Sequence, residues 1–410
     1  MVRIPRPLAV DRARFDPVNR DRDALYGLPE KILFCSACTV SNQMPGPSVE
    51  FSPESESKTT TGFGKDRICQ GCQAIRAHKS VDWASREEEL RRLCDQFRSR
   101  NGSHDCIVPG SGGKDSVMAS GILRDEYGMH PLTVTWAPNV FTDWGHRNFE
   151  RWISDGFDNF LVTQNPSIHR FLTRLSLDTL LHPFQPFMMG QKSIAPRLAL
   201  KFGIPLVFYG EPASDYGASL EGEASALMDP QVFSCAPESD LYVAGHSLST
   251  LESDFDLDLG SLNLYTPLDA QAVTAAGLQV HYLGYYLPWH PQACYYYAID
   301  HVDFEPSPNR NCGTYSRYAS LDDKLDDFHY YTTYAKFGIG RATYDTAHEI
   351  RWGDLSREEG VALVHSYDGE YPSRWMTELF SYLSMDDNTF TDRVRSQFES
   401  PSIDEEYFIN

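Results

Sequence analysis

From Phe202 to Asn309 the sequence contains no lysine and no arginine. Over the whole chain 36 basic residues stand against 57 acidic ones, a formal net charge of −21. Binding along a phosphate backbone needs basic surface, so this balance disfavours nucleic-acid partners. The cations for any anionic ligand must come from outside the unbroken acidic stretch. Long apolar runs are also missing. No segment approaches the ~18 residues of a spanning helix, and the N-terminus, MVRIPRPLAVDRARFDP, has no apolar core of the kind a signal peptide needs. The expectation is a cytoplasmic protein without membrane contact. There is no internal repeat and no heptad pattern. A disulfide framework is disfavoured too, because the nine cysteines are odd in number and a secretory leader is not expected from the N-terminal sequence.

What is present reads as globular. Hydrophobic residues make up 41% and aromatic residues 13%, too much for a disordered chain. At 410 residues, one large domain or two are both feasible. Four of the cysteines form two C-x-x-C pairs, Cys35/Cys38 in FCSAC and Cys69/Cys72 in CQGC. Two thiolates from one tight turn fill half of a tetrahedral shell, and a second turn completes it, which points to structural Zn²⁺. A redox pair, four unrelated thiols or an iron–sulfur cluster are the alternatives. Cys94, Cys106, Cys235, Cys294 and Cys312 stand alone, and Cys106 falls in a strand-like run.

After a helical pattern over 82–100, β and α signals alternate. The sequence predicts strands at HDCIVP, LTVTW, NFLVT and IPLVFYG. Helices are predicted over 114–127, 144–154, 167–181 and 191–202. Such alternation marks an open, mainly parallel sheet with helices on both faces. Beyond Gly210 the pattern gives way to an acidic, aromatic stretch. Its run HYLGYYLPWHPQACYYY, 281–297, reads as core or subunit interface, with His290 structural. The SREE of 356–359 has the form of a capping box. Residues 1–30 are polar and proline-spotted and are expected to drape over another surface.

The first strand leads into PGSGGKDS, Pro109 to Ser116. Gly110, Gly112 and Gly113 let the backbone approach a ligand, and the helix that follows offers free N–H groups to an anion. The Walker A pattern requires Ser or Thr after Gly-Lys; here Asp115 follows Lys114.

This loop resembles the PP-loop of the N-type ATP pyrophosphatases, which include GMP synthetase, asparagine synthetase, NAD synthetase and tRNA-modifying enzymes. In that group the loop grips the β,γ-pyrophosphate while the α-phosphorus is attacked, so AMP passes to the substrate. Taken with CSAC, CQGC, YGE, GTYSRYASLDDKLDDFHYYTTYAKFGIGRATYDTAHEIR and SREEG, residues 31–372 resemble the N-acetyl sugar amidotransferases. Those enzymes serve surface-polysaccharide, O-antigen and nonulosonic acid (pseudaminic and legionaminic) pathways. One departure is YGEPAS at 209–214, where the family has Gly-Glu-Asn.

The resemblance implies a doubly wound, five-stranded parallel sheet of the HUP-like kind, with ligands at the carboxyl ends of its strands. It divides the chain into a zinc-knuckle segment, 1–80, a PP-loop core, 81–215, an acidic aromatic insertion, 216–309, and a mostly helical region, 310–410, that completes the site. It implies ATP and Mg²⁺ as cofactors beside the structural Zn²⁺. Ser111, Gly112, Gly113 and Ser116 would cradle pyrophosphate, Lys114 would add positive charge and Asp115 would hold Mg²⁺. Lys336 and Arg341 would reach the phosphates from across the site. Trp136 would lie near adenine, Gln191 and Lys192 near the ribose or α-phosphate, and Glu211 near the substrate. The implied reaction converts an acetamido group to an acetamidino group with ammonia. Since the chain shows no paired Cys and His of a glutaminase, a separate glutaminase subunit is implied. The rival readings are a tRNA-thiolating enzyme, which the charge and the lack of a third C-x-x-C disfavour, and a non-catalytic zinc- and nucleotide-binding module.

Overall fold

The computed structural model describes residues 32–46, 60–64, 66–78, 80–211, 225–236, 241–386 and 388–390. Residues 1–30, Pro212 and the C-terminal tail beyond 390 lie outside them.

The molecule is built on one five-stranded sheet, all of whose pairings are parallel. Its strands are β1 (Cys106–Pro109), β2 (Pro131–Trp136), β3 (Asn159–Val162), β4 (Leu206–Tyr209) and β5 (Gln279–Tyr282), in spatial order β3-β2-β1-β4-β5. Ile107 sits at the centre of this order, paired with Leu132 on one side and Val207 on the other. Successive residues of a strand face opposite ways. Ile107, Val134, Val207 and Val280 therefore join one core, with Leu172, Leu177 and Ile194. Cys106, Val108, Leu206 and Phe208 join another, with Ala119, Leu123 and Leu283. Both faces are covered, as the near-continuous apolar strands require. The doubly wound expectation holds.

The helical expectations are met within a few residues: Trp83–Phe97, Lys114–Asp125, Asp143–Ser154, Pro166–Leu180 and Gln185–Phe202. The last begins six residues before the predicted 191, because its first turn (Gln185, Pro186, Phe187) is wholly buried, with no alternation of faces to mark it. Side-chain caps mark several starts: Asp82 accepts from Ser85 N–H at 3.2 Å, and Thr142 accepts from Gly145 N–H at 3.0 Å. Ser356 and Glu359 form the expected capping box.

The sheet is not completed within 81–215. Its fifth strand, β5, lies inside the 216–309 stretch, and its backbone pairs with β4 from Leu206↔Gln279 to Tyr209↔Tyr282. The aromatic run that begins there is interior in part: Tyr282, Tyr286, Trp289 and Cys294 are buried, whereas Tyr296 is 59% exposed. His290 caps the helix Pro291–Val302 and pairs with Asp354 at 3.0 Å, a structural role.

The C-terminal region is helical, with Leu325–Phe337, Arg341–Trp352, Arg357–Tyr367 and Met376–Leu383. The segment before its first helix is laced to the chain leaving β2. Thr142 N–H donates to Asp322 C=O at 3.0 Å, and Lys324 N–H donates to Val140 C=O at 2.9 Å. The Asp323 carboxylate receives the backbone N–H groups of Asn139 and Val140 at 2.5 and 3.2 Å. These contacts bring residues 320–324 to the carboxyl end of the sheet. Among the described residues no helix is long and apolar enough to cross a membrane.

Candidate active site and metal centre

The cysteine pairs come together as one centre. Cys35, Cys38 and Cys69 are fully buried and Cys72 nearly so. Their four sulfurs lie within 4.8 Å of one another, with Cys38 Sγ and Cys69 Sγ 3.6 Å apart. Zinc–thiolate bonds of ~2.3 Å give tetrahedron edges of ~3.8 Å, so the donor set fits one Zn²⁺ and fills its shell. Backbone N–H groups of Ala37 and Cys69 point at Cys35 Sγ at 3.4 and 3.3 Å, the usual support for a thiolate.

Four thiolates around one Zn²⁺ carry a charge of about −2, and two arginines answer it. Arg351 reaches Cys69 Sγ at 3.8 Å, and Arg357 donates to the carbonyls of Cys35 and Cys38 at 3.2 Å. Burial works against the Arg351 charge, but the thiols of Cys38, Cys69 and Cys72 hold its pKa above the ordinary arginine value. Thr39 hydroxyl lies 2.9 Å from that of Thr346. The small core under the knuckles is closed by Ala347 and Ile350. The centre is therefore docked on the helix Arg341–Trp352, which also carries Arg341.

At the carboxyl end of β1 the chain turns through the glycine loop into the helix Lys114–Asp125. Gly112 has φ +83°, and a Cβ there would stand 2.6 Å from the Phe149 backbone. The loop is thus pressed onto the helix Asp143–Ser154 and only glycine fits. Gly113 differs: a Cβ would meet nothing nearer than Ser111 Oγ at 3.9 Å, so the space outside it is open. No described side chain caps the helix start, leaving its first N–H groups to an external acceptor. Gly112→Ala is expected to cost ~1–3 kcal/mol from the φ angle alone. A thermal melt would register this as a clear drop in midpoint.

Lys114 is buried and pairs with the Asp115 carboxylate, whose other oxygen accepts from Trp289 Nε1 at 3.2 Å. Burial alone would lower the ammonium pKa; Asp115, with Cys294 and Glu211, raises it instead. Ser111 hydrogen-bonds to the Asp322 carboxyl, while burial raises the Asp322 pKa. Burial, then Asp322 and Asp323, push Asp326 well above the usual carboxylate range, with Arg341 opposing.

Arg341 is held by Ser320 Oγ at 2.6 Å, Tyr330 OH at 2.5 Å and Asp345 at 2.9 Å. His348 lies on the same helix as Arg341 and Asp345. Burial and then Arg351 lower its pKa to about 3, and both Lys114 and Arg341 act in the same direction.

Lys336 and Lys192 lie at a neighbouring position. Both act on His182, whose pKa burial and the His329 ring push down. The two imidazoles stack at 4.8 Å. Burial brings the Lys192 ammonium down to about 8. Gln191 is exposed. Trp136 ends β2 but is interior. Gly190 leaves no room for a Cβ above its ring, and His169 and Tyr265 meet it edge-on at 6.3 and 5.8 Å. Ser116 points back to Gly113 C=O at 2.9 Å.

Asp322, Asp326, His348 and Trp289 complete the surroundings of the loop and were not singled out from the sequence. Helical spacing would have grouped Arg341, Asp345 and His348, which recur every three or four residues.

Residues 312–406 match the family model described as LPS biosynthesis protein WbpG-like, C-terminal domain. No curated protein matches the chain. The family match covers the segment that supplies Asp322, Arg341 and His348, and it supports a sugar-modifying enzyme of polysaccharide biosynthesis.

Proposed function

We propose that the chain is an ATP-dependent, AMP-forming amidotransferase that converts the acetamido group of an N-acetyl sugar to an acetamidino group. The observation that carries this reading is that the SGGKDS loop faces the C-terminal region, with Ser111 beside the Asp322 carboxyl. That loop opens a helix start and sits at the carboxyl end of a central parallel strand, where ligands of such sheets bind. The C-terminal family match adds the sugar side of the reading.

In this reading Ser111, Gly112, Gly113 and Ser116 receive the pyrophosphate on backbone N–H groups and hydroxyls. Lys114 and Arg341 supply positive charge as the α-phosphorus is attacked, since phosphoryl chemistry is governed by positioning and charge stabilisation. Mg²⁺ would be held by Asp115 and would neutralise the phosphate charge. Lys192 and Lys336 approach from the side of His182, and Glu211 orients the sugar. The Trp136 ring is enclosed by protein, so it would form the floor of the adenine site. The acetamido oxygen attacks the α-phosphorus and the bond to pyrophosphate breaks. Ammonia then adds to the carbon of the O-adenylated imidate and AMP departs with the former amide oxygen, a proton being lost from the added nitrogen.

Ammonia is the co-substrate for which the chain shows no source, and a docked glutaminase would deliver it away from water. The purified chain is expected to release AMP and pyrophosphate from ATP with an N-acetyl sugar and ammonium, and hardly to turn over with glutamine alone. Release of ADP and orthophosphate would refute the reading. Full glutamine-dependent turnover without a second protein would refute the partner.

A further inference from the structure

The opposite end of the sheet carries a cluster that the chemistry above does not use. His104 precedes β1, His130 precedes β2 and Asp158 precedes β3. These three strands are adjacent and parallel, so their amino ends bring the side chains together. One donor atom from each lies within 4.8 Å of the other two. His104 Nε2 is 3.1 Å from Asp158 Oδ2, and the two imidazole centroids are 4.4 Å apart, tilted by 31°.

The backbone beneath the cluster is fixed. The Asp105 carboxylate accepts the N–H groups of His130 at 2.8 Å and Ser99 at 3.3 Å. Thr133 donates its N–H and its hydroxyl to Asp158 C=O at 3.0 and 2.8 Å. The ligand side is open: His130 and Asp158 are exposed and His104 is half-buried.

An ion pair accounts for His104 with Asp158, but not for a second imidazole laid against the first. Two imidazoles beside a carboxylate, with one donor atom from each within reach of the others, form a donor set for a cation. Two imidazoles and one carboxylate on one side, with water on the other, suit a first-row transition ion rather than Mg²⁺ or Ca²⁺. Bonds of ~2.0–2.2 Å place donors ~3–4 Å apart, so small side-chain rotations would close the site.

We propose that His104, His130 and Asp158 form a second, open divalent-metal site for Zn²⁺ or Ni²⁺, separate from the cysteine quartet and clamping the amino ends of β1, β2 and β3. With three ligands on an exposed surface, it binds more weakly than the quartet and exchanges freely.

The test uses the full, tag-free chain dialysed against Zn²⁺ and, separately, Ni²⁺, with bound metal counted per chain. The expected result is a second equivalent above the zinc that resists dialysis, together with a melting temperature that rises with added metal. His104→Ala and His130→Ala should each lose the second equivalent, keep the first, and melt independently of added metal. Asp158→Asn should retain a hydrogen bond to His104 but bind metal more weakly. A single equivalent in the unaltered chain, or a second one retained in both histidine variants, would overturn the proposal. A melting temperature that added metal does not move would do so as well.

Discussion

Asp115→Asn is expected to reduce AMP formation by ~10²–10³-fold, the scale of losing one group that acts on developing charge. The substitution keeps the shape of the side chain and its ability to accept from Trp289. It removes the negative charge that opposes the burial of Lys114. The proposed consequences are loss of a Mg²⁺ ligand and a Lys114 that no longer holds its proton as firmly. Stability falls too, because a buried ammonium loses its main counter-charge. The measurement must therefore separate the two effects: AMP release at saturating ATP and Mg²⁺, normalised to the folded fraction from circular dichroism. Near-normal turnover would remove Asp115 from the site. Loss in strict proportion to unfolding would give it a structural role only.

Removing the metal from the cysteine quartet is expected to be the largest single effect on stability. Structural zinc contributes ~10 kcal/mol or more in small zinc-binding peptides. Even half of that would lower the melting midpoint by ~6 °C. The effect should not stay local, because the quartet sits on the helix Arg341–Trp352 through Arg351, Thr346, Ala347 and Ile350. Another face of that helix carries Arg341, Asp345 and His348, spaced four and three residues apart. Cys35→Ser is therefore expected to lose zinc, lower the melting midpoint and weaken nucleotide binding together. Elemental analysis, a thermal melt and an ATP titration on the same sample would check this. A zinc-free protein that melted and bound ATP normally would show that the quartet is dispensable.

Much of the fold was legible because its signals are local. The run CIVP followed by GSGGKDS specifies strand, turn and helix within a dozen residues, and the structure has them in that order. The paired C-x-x-C spacing likewise fixed the composition of the quartet, since each pair needs only its own turn. What escaped depends on docking between distant segments. Asp322 meets Ser111 only because the 320–324 segment lies along residues 139–142, a match between two loops with no periodic signature. Lys336 and Arg341 stand on either side of a turn, since the first helix ends at Gly338, in the left-handed region, and a second begins at Arg341, and both charges act on the buried His329. Trp136 was placed correctly at the end of a strand, but its inward orientation is set by Gly190 on another helix. β5 escaped because it is four residues long and runs directly into the helix Leu283–Tyr286.

The place of β5 in the chain constrains how the protein is made. Strands β1 to β4 have all been synthesised by Tyr209, but the partner of β4 follows some seventy residues later, from Gln279. Throughout that interval β4 is an edge whose backbone groups invite pairing with another nascent chain. Loop closure over such a separation is slow, and exposed parallel edges aggregate. The stretch translated meanwhile contains no lysine or arginine. Its uniform negative charge would repel copies of itself on neighbouring ribosomes. A fragment ending near residue 215 should accordingly be insoluble, while one extended past Val302 should not.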